Sequence, residues 1–187
     1  MTIVYFVRHA HSVYTPDEYN RPISEAGRVE ALKLIKLFEN IDVQAMYTSS
    51  YLRAIQTIEP IAQAKNLSIT QMEALNERLL SNAPIENFAE AILKVWQNPT
   101  FAYPGGESNI AAQNRAVPVL KELLKQHEHE VIVIGTHGNI LTLMLQAFNT
   151  QYGLAFWKGL AMPDVIKAEF LHNELVSVEK IAITSKD

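Results

Sequence analysis

Two arginines and two histidines in this chain each follow an apolar run of strand-like character. Arg8 and His9 close the segment T-I-V-Y-F-V-R-H-A-H at 2–11, Arg53 follows a short apolar stretch and the pair Ser49-Ser50, and His137 comes just after V-I-V-I-G at 131–135. Guanidinium groups stay charged and grip anionic oxygens in pairs. A neutral imidazole offers a nucleophilic or basic nitrogen near physiological pH. Any one of these residues alone has an ordinary explanation, a solvated arginine or a hydrogen-bonded loop histidine. Their conjunction at equivalent junctions points to an anion site equipped for attack or proton transfer.

The elements that must position them alternate. Residues 3–7 are continuously apolar and rich in β-branched side chains, as suits a central strand buried on both faces. After a turn-rich loop, Ser24 reads as a helix N-cap with Glu25 in the first turn. Val29, Leu32, Ile35 and Phe38 follow at helical spacing, so 25–39 is expected to be an amphipathic helix. A strand over 43–48, a helix over 51–65 and a strand over 67–72 complete a β-α-β-α-β opening, which implies a parallel sheet with right-handed crossovers. Residues 73–84 read as loop with a helical turn, 86–97 as a helix, and 108–126 as a helix capped by Ser108 and kinked at Pro118. The V-I-V-I-G strand leads through Thr136-His137-Gly138-Asn139 into an apolar helix over 140–148. Strands over 165–171 and 175–183, joined at His172-Asn173-Glu174, are expected as an antiparallel hairpin at one edge. In a parallel sheet all the charged junctions fall on the carboxyl edge, where ligands bind and where helix N-termini favour phosphate or carboxylate.

The bulk properties narrow the class. At 187 residues with 48% hydrophobic and 19% charged residues the chain reads as one ordinary globular domain over 1–187. There is no cysteine, so thiolate chemistry and disulfides are excluded. The net charge of −4 argues against a nucleic-acid surface. The apolar runs are too short for a membrane span, and the N-terminus lacks a secretory pattern; a cytoplasmic protein is the expectation. No carboxylate-histidine spacing suggests a metal site. His127, His129 and His172 read as helix-end or turn residues without a catalytic part, and His11 as an exposed loop histidine, though near enough to the site to touch substrate.

At this point the motifs match a family. R-H-A after the first strand, P-I-S-E-A-G at the helix entry, T-S-S-Y-L-R-A-I-Q-T around Arg53, P-G-G-E-S at 104–108 and T-H-G at 136–138 occur in order. Together they resemble the histidine phosphatase superfamily, also called phosphoglycerate mutase-like. The resemblance implies a three-layer α/β/α sandwich around a mostly parallel sheet with an antiparallel edge. It implies a metal- and cofactor-independent phosphohydrolase acting on a phosphate monoester through a phosphohistidine on His9. Arg8, Arg53, His137 and Ser12 would hold the phosphoryl group, with His137 as an imidazolium donor. In A-L-N-E-R, Glu77 would be the proton donor, with Glu73 and Glu107 as fallbacks; Glu107 reads better as a residue that orders its loop.

Several positions depart from the family pattern. Ala10 stands for the usual glycine, adding a methyl where the backbone nears the phosphate, and Ser12 and Thr15 stand for threonine and asparagine. L-L-S-N-A-P follows Glu77 in place of a G-x-W-E-G-like tract. Two alternatives remain open: a mutase that returns the phosphoryl group to a bound sugar acid, and a non-catalytic phosphate-binding module. The partner expected is a phosphorylated small molecule, with neither nucleic acid nor membrane, and an exposed edge strand would permit a homodimer. Tyr14, Tyr19, Phe88, Trp96 and Tyr103 lie in segments able to cap the site, which hints at an apolar or ring-bearing leaving group.

Overall fold

The computed structural model describes residues 1–184; residues 185–187 of the expected domain lie outside the described part. One six-stranded sheet organises the chain, with strands β1 (Thr2–Arg8), β2 (Ala45–Thr48), β3 (Ile69–Gln71), β4 (Val131–Thr136), β5 (Asp164–Leu171) and β6 (Glu174–Ile181) in the order β3-β2-β4-β1-β5-β6. The pairs β1/β4, β4/β2 and β2/β3 are parallel, whereas β5 runs against β1 and β6 against β5. The hairpin between β5 and β6 turns on His172 and Asn173, both in the left-handed region at φ 49° and 64°. A two-residue turn with positive φ at both positions matches the twist of an antiparallel ribbon.

The alternation of β1 explains the layers. Val4 and Phe6 face one side, where they pack with Ala112, Ala116 and Leu120 of α4 (Asn109–Gln126) and Ile140, Leu143 and Met144 of α5 (Gly138–Gln146). Tyr5 and Val7 face the other, against Leu34 and Phe38 of α1 (Glu25–Phe38) and Ile58 and Ile61 of α2 (Leu52–Lys65). Helix α3 (Phe88–Gln97) follows a single 3-10 turn at Glu73–Leu75, and α6 (Leu154–Lys158) precedes β5. This is the expected three-layer α/β/α sandwich with an antiparallel edge. Among the described residues no helix is long and apolar enough to cross a membrane.

The structure revises several local expectations. In α1 the buried face is Gly27, Ala31, Leu34 and Phe38, whereas Val29, Leu32 and Ile35 are exposed. Small residues win the inward face because α1 presses on the first loop: a Cβ on Gly27 would lie 2.4 Å from the His11 carbonyl oxygen. Helix α5 begins at Gly138, with His137 as its N-cap residue, two positions before the expected start. Helix α3 starts at Phe88, because the Asn87 side chain caps it by accepting from the Glu90 amide. Helix α4, by contrast, keeps its expected extent, running from the Ser108 cap through Pro118 to Gln126. Strands β2, β3 and β6 are shorter than expected, and the five-residue α6 lies in a stretch whose sequence shows no sustained period.

Candidate active site

The insertion of β4 between β1 and β2 creates the site. Backbone bonds lock the three carboxyl ends together: the His9 amide donates to the Thr136 carbonyl at 3.0 Å, and the Ser49 amide to the Gly135 carbonyl at 2.9 Å. Side chains one or two residues beyond each strand are therefore neighbours, and the His9 and His137 rings sit 5.2 Å apart. Above them opens a cavity of about 560 Å³ whose lining includes Arg8, His9, Ser12, Arg53 and Glu77.

His9 is almost buried. Its Nδ1 lies 2.7 Å from the Ala10 carbonyl, which can only accept, so Nδ1 carries the proton and Nε2 keeps a free lone pair. Burial, and then Arg53, push the ring's pKa down to about 3, opposed by the Ala10 hydrogen bond and reinforced by Arg8 and Arg21. The imidazole is thus neutral at ordinary pH, the form a nucleophile needs. Ala10 donates its own amide to Thr57 Oγ1 at 2.9 Å, while its methyl packs with Ile23 and Ala31. The extra methyl is taken up by contacts with Ile23, before α1, and Ala31, within it, and does not line the cavity, contrary to expectation.

Arg8 donates from Nη1 to the Leu160 carbonyl at 2.8 Å. Its guanidinium lies against the N-terminus of α5, where a Cβ on Gly138 would come within 3.0 Å of Arg8 Cζ and 3.1 Å of Trp157 Nε1. A side chain at 138 would oblige the guanidinium or the indole to shift by a few tenths of an ångström. Arg53, 3% exposed, is held by the first loop: Nη1 donates to the Glu18 carbonyl and Nη2 to Glu18 Oε2, both at 2.9 Å. Glu18 also pairs with Arg21, whose Nε and Nη2 donate to the Thr15 carbonyl at 3.1 and 2.9 Å. Thr15 therefore serves the site through its backbone; its hydroxyl donates to the Asp17 carbonyl.

Glu77 is placed by a web of contacts around the 3-10 turn. Arg115 grips Glu107 bidentately at 2.8 and 2.7 Å and donates from Nη1 to the carbonyls of Ala74 and Asn76. Thr136 donates to the Leu75 carbonyl, and Asn76 Oδ1 accepts the Ser50 amide at 2.8 Å. Glu107 accordingly sits beside the turn as an orienting group, and Glu73 is exposed in its first position. The Glu77 carboxylate caps α5, with Oε2 accepting from the Asn139 amide at 3.0 Å and Oε1 from Ile140 at 2.9 Å and Arg78 at 2.8 Å. Its contact with Arg78 is thus to the backbone, and the Arg78 guanidinium donates to Asn139 Oδ1.

His137 departs from its expected state. It lies fully buried below the cavity floor, with Nε2 2.7 Å from Ser49 Oγ and Nδ1 without a partner. Burial, then Arg53, His9 and Arg8, hold its pKa well below the usual histidine range, so the free protein carries a neutral imidazole and no imidazolium. His127 is likewise more than a helix-end residue: it is buried between the Tyr47 hydroxyl, 2.7 Å from Nε2, and Glu130. Of the five aromatics expected to cap the site, Tyr14 and Phe88 line the cavity, whereas Tyr19 meets Tyr51 edge to face, Trp96 packs on the core and Tyr103 meets Phe101 edge to face. Sequence reasoning passed over Arg21, Arg78, Glu18 and Tyr51, which also line it. Tyr51 stands within T-S-S-Y, a tract already singled out, and Arg21 directly precedes P-I-S-E-A-G, but nothing local shows which way their side chains turn.

The profile of the histidine phosphatase superfamily (branch 1) matches residues 4–175, and the chain belongs to that family. It is a phosphomonoesterase of the histidine phosphatase type, in a family whose typical mechanism passes through a phosphohistidine. The phosphoserine phosphatase 1 of Hydrogenobacter thermophilus is 27% identical over 150 residues, 73% of this chain and 71% of that protein. A 2,3-bisphosphoglycerate-dependent phosphoglycerate mutase of Chlamydia muridarum is 24% identical, covering 78% and 83%. Among solved structures, Bacillus stearothermophilus YhfR superposes with a TM-score of 0.79 at 26% identity over 98% of this chain and 99% of that one. The mycobacterial glucosyl-3-phosphoglycerate phosphatase reaches 0.76 at 18% identity over 95% and 96%, a likeness of fold.

Proposed function

We propose that the protein, acting as a single domain, hydrolyses phosphate monoesters in two in-line steps at His9. In the first, Nε2 attacks phosphorus and an N–P bond forms as the ester P–O bond breaks. Glu77 gives its proton to the departing alkoxide, a transfer worth roughly 10²–10⁴ in rate for a poor leaving group. In the second, Glu77 takes a proton from water, water oxygen attacks phosphorus, and the N–P bond breaks to free inorganic phosphate and neutral His9. Arg8 and Arg53, joined by Arg21, hold the non-bridging oxygens, with Ser12 as a further hydroxyl donor. These fixed cations supply the charge stabilisation that a metal ion gives in other phosphoryl-transfer sites.

His137 has its part in this reading as a neutral donor. Its Nε2 shares a hydrogen bond with Ser49 Oγ and its Nδ1 has no partner in the free protein; with the Ser49 hydroxyl as the donor, the ring proton rests on Nδ1. A buried unpaired N–H is costly, so a phosphoryl oxygen seated against His9 supplies what it lacks. The observation that carries the proposal is the state of His9: neutral, with Nδ1 bound to a carbonyl and Nε2 free, on the wall of a cavity that also holds Arg8, Arg53 and Glu77.

The partner in this reading is a phosphorylated small molecule, with no role for nucleic acid or membrane, in keeping with a net charge of −4. We place the protein in the cytoplasm, and the open edge of β6 leaves room for a homodimer. The test is incubation with p-nitrophenyl phosphate and a panel of phosphorylated metabolites in the presence of EDTA, beside His9→Ala. Metal-independent phosphate release abolished by the substitution is the expected result, with acid-labile label trapped on the wild type alone. Isomerised product without free phosphate would instead establish a mutase, and no turnover of any ester a binding module.

A further inference from the structure

The phosphate cradle occupies only the floor of the cavity; its upper walls are of another character. From the connection after Glu77 and the start of α3 come Leu79, Pro84, Ile85 and Phe88, from the first loop Tyr14, and from the segment before β5 Met162. Tyr14, Phe88, Met162 and Leu79 are between 38% and 80% exposed. Single exposed apolar side chains are ordinary, but several large ones gathered on one concave mouth mark a ligand surface.

The charges point the same way. Four arginines and two glutamates line the cavity, an excess of two positive charges with both carboxylates ionised and of three while Glu77 holds the proton it donates. One phosphoryl dianion takes up most of that excess. Arg53 and Arg21 already share Glu18, and Arg78 lies beside Glu77 with its guanidinium on Asn139. Arg78 keeps Nε and Nη1 without partners but is only 3% exposed, and the upper-wall residues Leu79, Pro84, Ile85, Phe88, Tyr14 and Met162 carry no charge to receive a carboxylate on the leaving group.

We propose that the substrate is a phosphate monoester of an apolar, ring-bearing alcohol without a second anionic group, its ring held among Phe88, Leu79, Tyr14 and Met162. This rests on the phosphatase reading for turnover but not for binding. The experiment compares 2-phenylethyl phosphate with O-phosphoserine, both primary alkyl monoesters, so that neither has the advantage of an aryl leaving group. The wild type is expected to favour the phenylethyl ester in kcat/KM by about tenfold or more, the discrimination an apolar pocket supplies for a few carbons. In Phe88→Ser, a change at an exposed side chain, that ratio should fall severalfold. Calorimetric binding of both esters to His9→Ala reads the walls without chemistry. Equal or better use of phosphoserine, or a ratio unmoved in Phe88→Ser, overturns the proposal. If neither ester is turned over yet His9→Ala binds the phenylethyl ester about tenfold more tightly, the apolar site stands and the phosphatase reading falls. Equal binding in that case removes both.

Discussion

Acid should weaken this fold through His9, by an amount that its surroundings set. Burial and Arg53 hold its folded pKa at about 3, against 6.5 for an unperturbed histidine. The folded value lies below the unfolded one, so the unfolded chain takes up a proton first as pH falls. The stability contributed by the neutral ring is complete above about pH 6.5 and is lost progressively down to about pH 3. Within that window each pH unit removes about 1.36 kcal/mol, so the loss from this one group between about pH 8 and about pH 5 is about 2 kcal/mol. Urea unfolding of the wild type and of His9→Gln at both pH values isolates this contribution, because the amide does not titrate while His137 and the carboxylates remain in both proteins. The wild type should lose about 2 kcal/mol more than the variant over this interval. Parallel losses in the two proteins would show that His9 is not held neutral, and would remove the main physical support for its role as nucleophile.

Three further outcomes follow from the site. Glu77→Gln should lower kcat by roughly 10²–10⁴ on alkyl monoesters, and far less in the burst of p-nitrophenolate, whose departure needs no proton; equal losses on both would assign the carboxylate to positioning. Ser49→Ala frees the His137 tautomer and should reduce kcat by about tenfold while costing about 1 kcal/mol of stability, the worth of an ordinary hydrogen bond; unchanged turnover would take His137 out of phosphoryl binding. Arg115→Met unclamps Glu107 and the carbonyls of Ala74 and Asn76, so urea unfolding should show about 1–3 kcal/mol of destabilisation. Its kcat should fall as well, because Glu77 is aimed by that turn, and a stability loss without a rate loss would separate the two.

Much of the fold was legible from local pattern. The uninterrupted apolar runs of β1 and β4, the caps Ser24 and Ser108, and the His172-Asn173 turn each declare themselves within a few residues, and each takes its expected form. The face of α1 was misread because Val29, Leu32 and Ile35 show a period that Gly27 and Ala31, with little hydrophobic signal, do not. Close approach of α1 to the His11 carbonyl decides that face, and only the packed molecule contains it. Helix α6 is too short to show a period, yet it brings Trp157 to the cavity wall.

By itself the sequence determined which side chains could do chemistry and that they stand at strand ends, since residue type and apolar period are properties of neighbours along the chain. The tertiary structure decided what they become. Placing β4 between β1 and β2 brings His9 and His137 to 5.2 Å and buries both, which turns an expected imidazolium at 137 into a neutral ring. It packs the Ala10 methyl with Ile23 and Ala31 and fastens the Glu77 carboxylate to the start of α5. The physical reason is one of range: backbone preference acts over a few residues, whereas desolvation and Coulomb interactions act among groups that only folding makes adjacent.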